Sequence, residues 1–116
     1  MNLYHIWCDL KPGIADTEFA ENIHGYLGRL RERGALSSYR ITRRKLGLGP
    51  REIGEFHISI EFVDLRQLET AFESVAARRD PVEELHHGVN RWASNVQFAL
   101  YRDFPDDFRH RGEERF

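Results

Sequence analysis

The chain has 116 residues, 41% hydrophobic and 31% charged, with a formal net charge of −2. That is the size and composition of one globular domain, and it excludes a disordered chain or one drawn by bulk charge to nucleic acid or an anionic membrane. A lone cysteine, Cys8, excludes an internal disulfide and predicts a reducing, cytoplasmic setting; the first residues lack a basic stretch followed by a long apolar run, so no secretory signal is expected, and no window approaches the roughly 18–20 apolar residues of a membrane span.

Residues 2–10 predict a first strand. At period two, Tyr4, Ile6, Cys8 and Leu10 form an apolar face, while Leu3, His5, Trp7 and Asp9 form the other. Lys11-Pro12-Gly13 ends the strand. Asp16 is placed as the N-cap of a helix, with Glu18 in its first turn. Phe19, Ile23, Tyr26, Leu27 and Leu30 make its inward stripe, and Gly34 its stop. Gly25 and Gly28 inside this helix each cost about 1 kcal/mol relative to alanine, a cost read here as a sign of close packing on a neighbour.

Residues 36–45 and 54–63 predict the arms of a hairpin joined by "LGLGPREIG". This glycine-rich loop joins strand to strand and lacks the helix N-terminus that phosphate-binding loops use, so phosphate is not expected there. In the second arm Phe56, Ile58, Ile60 and Phe62 alternate with Glu55, His57, Ser59 and Glu61. Asp64 followed by Gln67 is a capping-box variant, opening a helix whose inward stripe is Leu68, Ala71, Phe72 and Val75. A second start at Asp80-Pro81, with Glu83 after it and Val82, Leu85, Val89 and Trp92 at helical spacing, predicts a helical segment in two pieces. A last strand over 95–103 turns Val96, Phe98 and Leu100 inward and Gln97, Ala99 and Tyr101 outward. The domain is expected to span 1–105, with 106–116 a polar tail.

The order β-α-β-β-α-β predicts a ferredoxin-like α+β sandwich. Its four-stranded antiparallel sheet has the first and third strands at the centre and helices on one face. The segments "MNLYHIWCDLKPG", "TRRKLGLGP", "GEFHI" and "FALYRDFP" resemble an uncharacterised family of small bacterial proteins, over Met1 to about Pro105. That resemblance implies no activity and assigns no catalytic residue. The element order also resembles the dimeric α/β-barrel superfamily, in which two ferredoxin-like sheets pack face to face. The superfamily includes cofactor-independent monooxygenases, haem-degrading enzymes, lactone isomerases and stress-response proteins. A likeness of topology transfers no residue roles.

The sheet face away from the helices gathers the candidate chemistry. His5 and His57 are the candidate acid–base residues, within the roughly 5–8 Å that separates neighbours on one sheet face. Trp7, Asp9, Ser59, Glu61, Gln97 and Tyr101 share that face as candidate ligand or dimer contacts. Arg40, Thr42 and Arg44 have one parity, so the two arginines are candidates for the same face, as carboxylate or phosphate binders or as subunit-bridging ion pairs. They belong to a basic stretch, residues 29–51, with eight basic side chains against Glu32 alone; its net +7 leaves −9 for the rest.

No spacing is a metal signature, and no metal or cofactor is expected. His86 and His87 project about 100° apart on a helix and cannot chelate one ion together; haem binding lacks a supporting motif. A buried Cys8 behaves as a small hydrophobe with a raised pKa. The third strand offers no aromatic row for stacking bases, which argues against nucleic acid. The expectation is a homodimer packed through its sheets that binds a small molecule, either between sheet and helices or at the dimer seam. The alternative is a cofactor-independent monooxygenase or isomerase of a small aromatic or lactone-like substrate. A face that serves self-association alone, anchored by Trp7, is the competing non-enzymatic reading.

Overall fold

A computed structural model describes residues 1–76 and 91–105. Its elements are β1 (Asn2–Leu10), α1 (Asp16–Glu32), β2 (Ser38–Arg43), β3 (Phe56–Phe62), α2 (Leu65–Ala76) and β4 (Ala93–Arg102). The strands form one sheet in the order β2-β3-β1-β4, with every neighbouring pair antiparallel. The ferredoxin-like α+β arrangement read from the sequence is therefore present, with β1 and β3 central. The helical start at Asp80, His86, His87 and the tail 106–116 lie outside the described residues.

The two periodicities meet in the core. Ile6 and Cys8 of β1 and Phe56, Ile58, Ile60 and Phe62 of β3 are buried against Phe19, Ile23, Leu27 and Leu30 of α1 and Leu68 of α2. Each large apolar side chain buried there contributes about 1.5–3 kcal/mol. β3 alternates without a break between buried and half-buried positions. This fixes its register, because a slip of one residue would turn the phenylalanines and isoleucines to the open side.

Helix α1 begins one residue earlier than the sequence suggested. Ala15 is the capping residue and has no side-chain cap bond. Asp16 is instead the first helical residue: its carboxylate accepts the Thr17 N–H at 2.7 Å and an Arg43 N–H at 2.8 Å. The other end closes as a Schellman turn. Ala35 N–H donates to the Leu30 carbonyl at 2.9 Å and Gly34 N–H to that of Arg31 at 3.0 Å, with Gly34 at φ +75°. The packing read into the helical glycines is absent at Gly25, where a Cβ would meet nothing within 4 Å; at Gly28 it would meet only the Tyr39 hydroxyl, at 3.6 Å.

Asp64 caps α2 as expected, its carboxylate accepting the Gln67 N–H at 2.9 Å. Gln67 does not close the box on Asp64; its oxygen takes the Val63 N–H at 2.7 Å and its amide reaches the Gly34 carbonyl at 2.9 Å. One side chain thus ties the start of α2 to the end of α1.

β2 ends at Arg43, so Arg44 belongs to the hairpin loop. Its guanidinium donates to the carbonyls of Pro50 and Ile53 at 2.7 and 2.9 Å. The loop wraps acceptors around its own cation, the reverse of a phosphate cradle. At the end of the loop, Gly54 lies so close to β1 that a Cβ there would overlap the Cys8 backbone. β4 carries a bulge: Trp7 pairs with Gln97 but Asp9 pairs with Ser94, one residue extra on β4, where Asn95 takes φ +50°. The extra residue resets the alternation and buries Ala93. Phe98 and Leu100 do lie on the helix side, but on this edge strand they stay 56% and 52% exposed.

Candidate functional site

The register lays out the open sheet face as rows across β2, β3, β1 and β4. One row is Ser38, Glu61, Leu3 and Tyr101; the next is Arg40, Ser59, His5 and Ala99; the third is Thr42, His57, Trp7 and Gln97. Each of these positions has the parity of the open face, and the register between the strands sets which of them stand in one row; Arg44, which shares the parity of Arg40, is not among them because β2 ends at Arg43.

His5 and His57 sit diagonally and touch, with His5 Nδ1 and His57 Nε2 2.8 Å apart. Their ring planes differ by 10° with centroids 5.0 Å apart. Near-parallel rings approach to 2.8 Å only edge to edge, so this is an in-plane hydrogen bond rather than a face-to-face stack. Trp7 runs parallel to both, within 14° of His5 and 12° of His57. The Tyr101 ring stands edge-on to His5, 5.0 Å between centroids.

One arrangement of the imidazole protons gives every contact of this hydrogen-bond chain a donor and an acceptor. Thr42 Oγ1 lies 3.4 Å from His57 Nδ1 and 3.4 Å from the His57 carbonyl. A carbonyl only accepts, so the Thr42 hydroxyl donates to it and receives the His57 Nδ1–H. His57 Nε2 is then a lone pair, which receives the His5 Nδ1–H and leaves His5 Nε2 as the bare nitrogen. Burial lowers the pKa of His5; burial and then the charge of His5 lower that of His57. Both rings are accordingly neutral near pH 7, as this pattern requires.

The carboxylates of the face are occupied. Asp9 accepts the Glu55 N–H at 2.9 Å with one oxygen and the Asn95 amide at 3.2 Å with the other, which holds the start of β3 and the bulge of β4 against β1. Glu61 accepts the Ser38 hydroxyl at 2.6 Å. Arg40 is on the face and exposed, and Arg44, a candidate for it by parity, is held by the loop carbonyls. Ser38 and Asn95 are members of the site that sequence reasoning missed. Ser38 has the parity of Arg40 and was legible; the bulge that brings in Asn95 has no local sequence signal. Cys8, fully buried on the opposite face, has its thiol pushed up to about 11, by burial first and Asp9 second, which makes it part of the core. Among the described residues no three His, Cys, Asp or Glu side chains converge to hold a metal, and no helix is long and apolar enough to cross a membrane.

Solved structures share this architecture. The Arabidopsis thaliana protein At3g17210 superposes with a TM-score of 0.70 at 13% identity, covering 91% of this chain and 98% of its own. A dimeric ferredoxin-like protein of unknown function from Jannaschia sp. gives 0.68 at 12% identity, covering 89% and 100%. Another dimeric ferredoxin-like protein of unknown function, from Thermobifida fusca, gives 0.57 at 13% identity, covering 87% and 90%. At these identities the likeness is one of fold. No curated protein matches the sequence. One family model matches over residues 1–116, described as a family of unknown function, DUF6614.

Proposed function

We propose a function for a chain that belongs to DUF6614: it is one half of a homodimer that packs open sheet face on open sheet face and holds a small molecule beside the His5–His57 pair. The observation that carries this reading is that the face has partnered most of its own polar groups. Asp9, Glu61, Ser38, Thr42 and both imidazoles have intramolecular hydrogen bonds. Covering such a face strips water from few unpaired groups, while Leu3, Trp7 and Tyr101 offer apolar surface to bury. Fold neighbours described as dimeric ferredoxin-like proteins support the assembly.

Sedimentation equilibrium at micromolar concentration tests the assembly. A dimer is expected for the native chain and a monomer for Trp7→Asp; a native monomer overturns the proposal. A crystal structure of the dimer tests the pocket: a cavity touching His5, Trp7 and His57 supports it, and a dry seam leaves self-association alone.

The bare His5 Nε2 favours a second reading, in which His5 is the base of a cofactor-independent oxygenation or isomerisation of a small aromatic or lactone-like substrate. Its signature is solvent deuterium appearing in a lactone incubated with the protein, lost in His5→Gln while the dimer persists.

A further inference from the structure

We propose that the small molecule of this site is a planar carboxylate whose carboxyl group is held by Arg40; this rests on the pocket reading above and names its ligand class. Three arginines leave β2 and its end, and two are spent inside the chain. Arg43 bridges Asp16 and Glu55 at 2.8 and 3.0 Å, and Arg44 is wrapped by loop carbonyls. Arg40 is the one whose side chain has no hydrogen bond or ion pair among the described residues, and it is exposed on the open face. The acidic side chains of that face do not reach it: Asp9 has both oxygens engaged, and Glu61 is turned to Ser38.

A lone cation is an expensive group to cover with a second sheet unless an anion comes with it. The row in which Arg40 stands points to what that anion is attached to. Arg40, Ser59 and His5 face one another across β2, β3 and β1. With strands about 4.8 Å apart, the backbones of Arg40 and His5 are separated by about 10 Å, and the Ser59 hydroxyl lies between them as a second donor. A guanidinium fork takes both oxygens of a carboxylate. The body of the ligand then extends toward β1, over ring planes of His5, His57 and Trp7 that are parallel to within 14°, with the edge-on Tyr101 ring beyond. A flat group suits that surface, and the bare His5 Nε2 is beside it.

Benzoate and its uncharged isostere benzamide are the probes, each titrated into the intact native chain while the imidazole NMR signals of His5 and His57 are followed. Benzoate is expected to bind at least tenfold more tightly than benzamide. Arg40→Met should bring the two to parity, and Arg40→Lys, which keeps charge but loses the fork, should restore only part of the difference. If both probes shift His5 and His57 equally and Arg40→Met changes neither, the carboxylate assignment is overturned while the pocket stands. If neither probe moves those signals, the pocket falls and the assignment with it. If Arg40→Met turns a native dimer into a monomer, Arg40 pairs with a carboxylate of the second copy, and the assignment is again overturned.

Discussion

The arrangement that gives every contact from His5 to the His57 carbonyl a donor and an acceptor puts the proton of His5 on Nδ1. The ¹⁵N spectrum of the neutral protein should show His5 protonated at Nδ1 and not at Nε2, and Thr42→Val, which removes the end of the chain, should mix the two tautomers. The same pair sets a pH dependence. Both imidazoles have folded-state pKa values below the ordinary 6.5. The native state therefore binds fewer protons than the unfolded chain as pH drops below 6.5, so stability is lost from that point down to the lowered values and is unaffected by the pair above it. Urea midpoints measured from pH 7.5 to 5 should fall, and His57→Gln should flatten the fall. Asp9→Ala should cost about 2 kcal/mol by urea unfolding, since it strips a charged acceptor from two elements at once. That His5, Trp7 and His57 share one face was legible from parity; that the two imidazoles touch was not, because it depends on the register of β1 against β3, which the periodicity of neither strand sets. The separation of Arg40 from Arg44 was not, because it depends on where β2 stops, and that is decided by carbonyls of a loop whose path no periodicity encodes.

Between elements, two glycines make opposite predictions. Gly25 has open space around the missing Cβ inside α1. Gly25→Ala should stabilise the fold by about 1 kcal/mol, the helix-propensity difference. Gly54 presses on the backbone of Cys8, so Gly54→Ala should destabilise by about 1–3 kcal/mol or shift the entry of β3; thermal unfolding of both variants checks the pair. From the sequence Gly25 and Gly28 looked like the packing glycines and Gly54 like a loop breaker, because composition shows where a glycine stands and not what lies across from it. Strand β3 was fully legible, as four buried aromatic and aliphatic residues alternate with polar ones. β4 was legible in its second half only, since the extra residue at Asn95 changes which side the residues before it face.

For the whole molecule, the element order was enough to give the sheet order, with β1 and β3 central and both helices on one side. What a covered sheet face encloses was not legible, because it depends on a second surface that one sequence does not spell out separately. The sheet also has two rims. β2 is short and bears Arg40 and Arg43, charges that discourage another strand from docking. Along β4, the run Val96–Tyr101 has no charged residue and no proline, and no strand among the described residues pairs with its outer side. Such a hexapeptide is the usual seed of fibrils. Shelf life in concentrated solution should therefore be set by this rim rather than by the melting temperature, and Leu100→Lys, at a half-exposed position on the helix side of the rim, should delay turbidity by more than any shift of the unfolding midpoint accounts for.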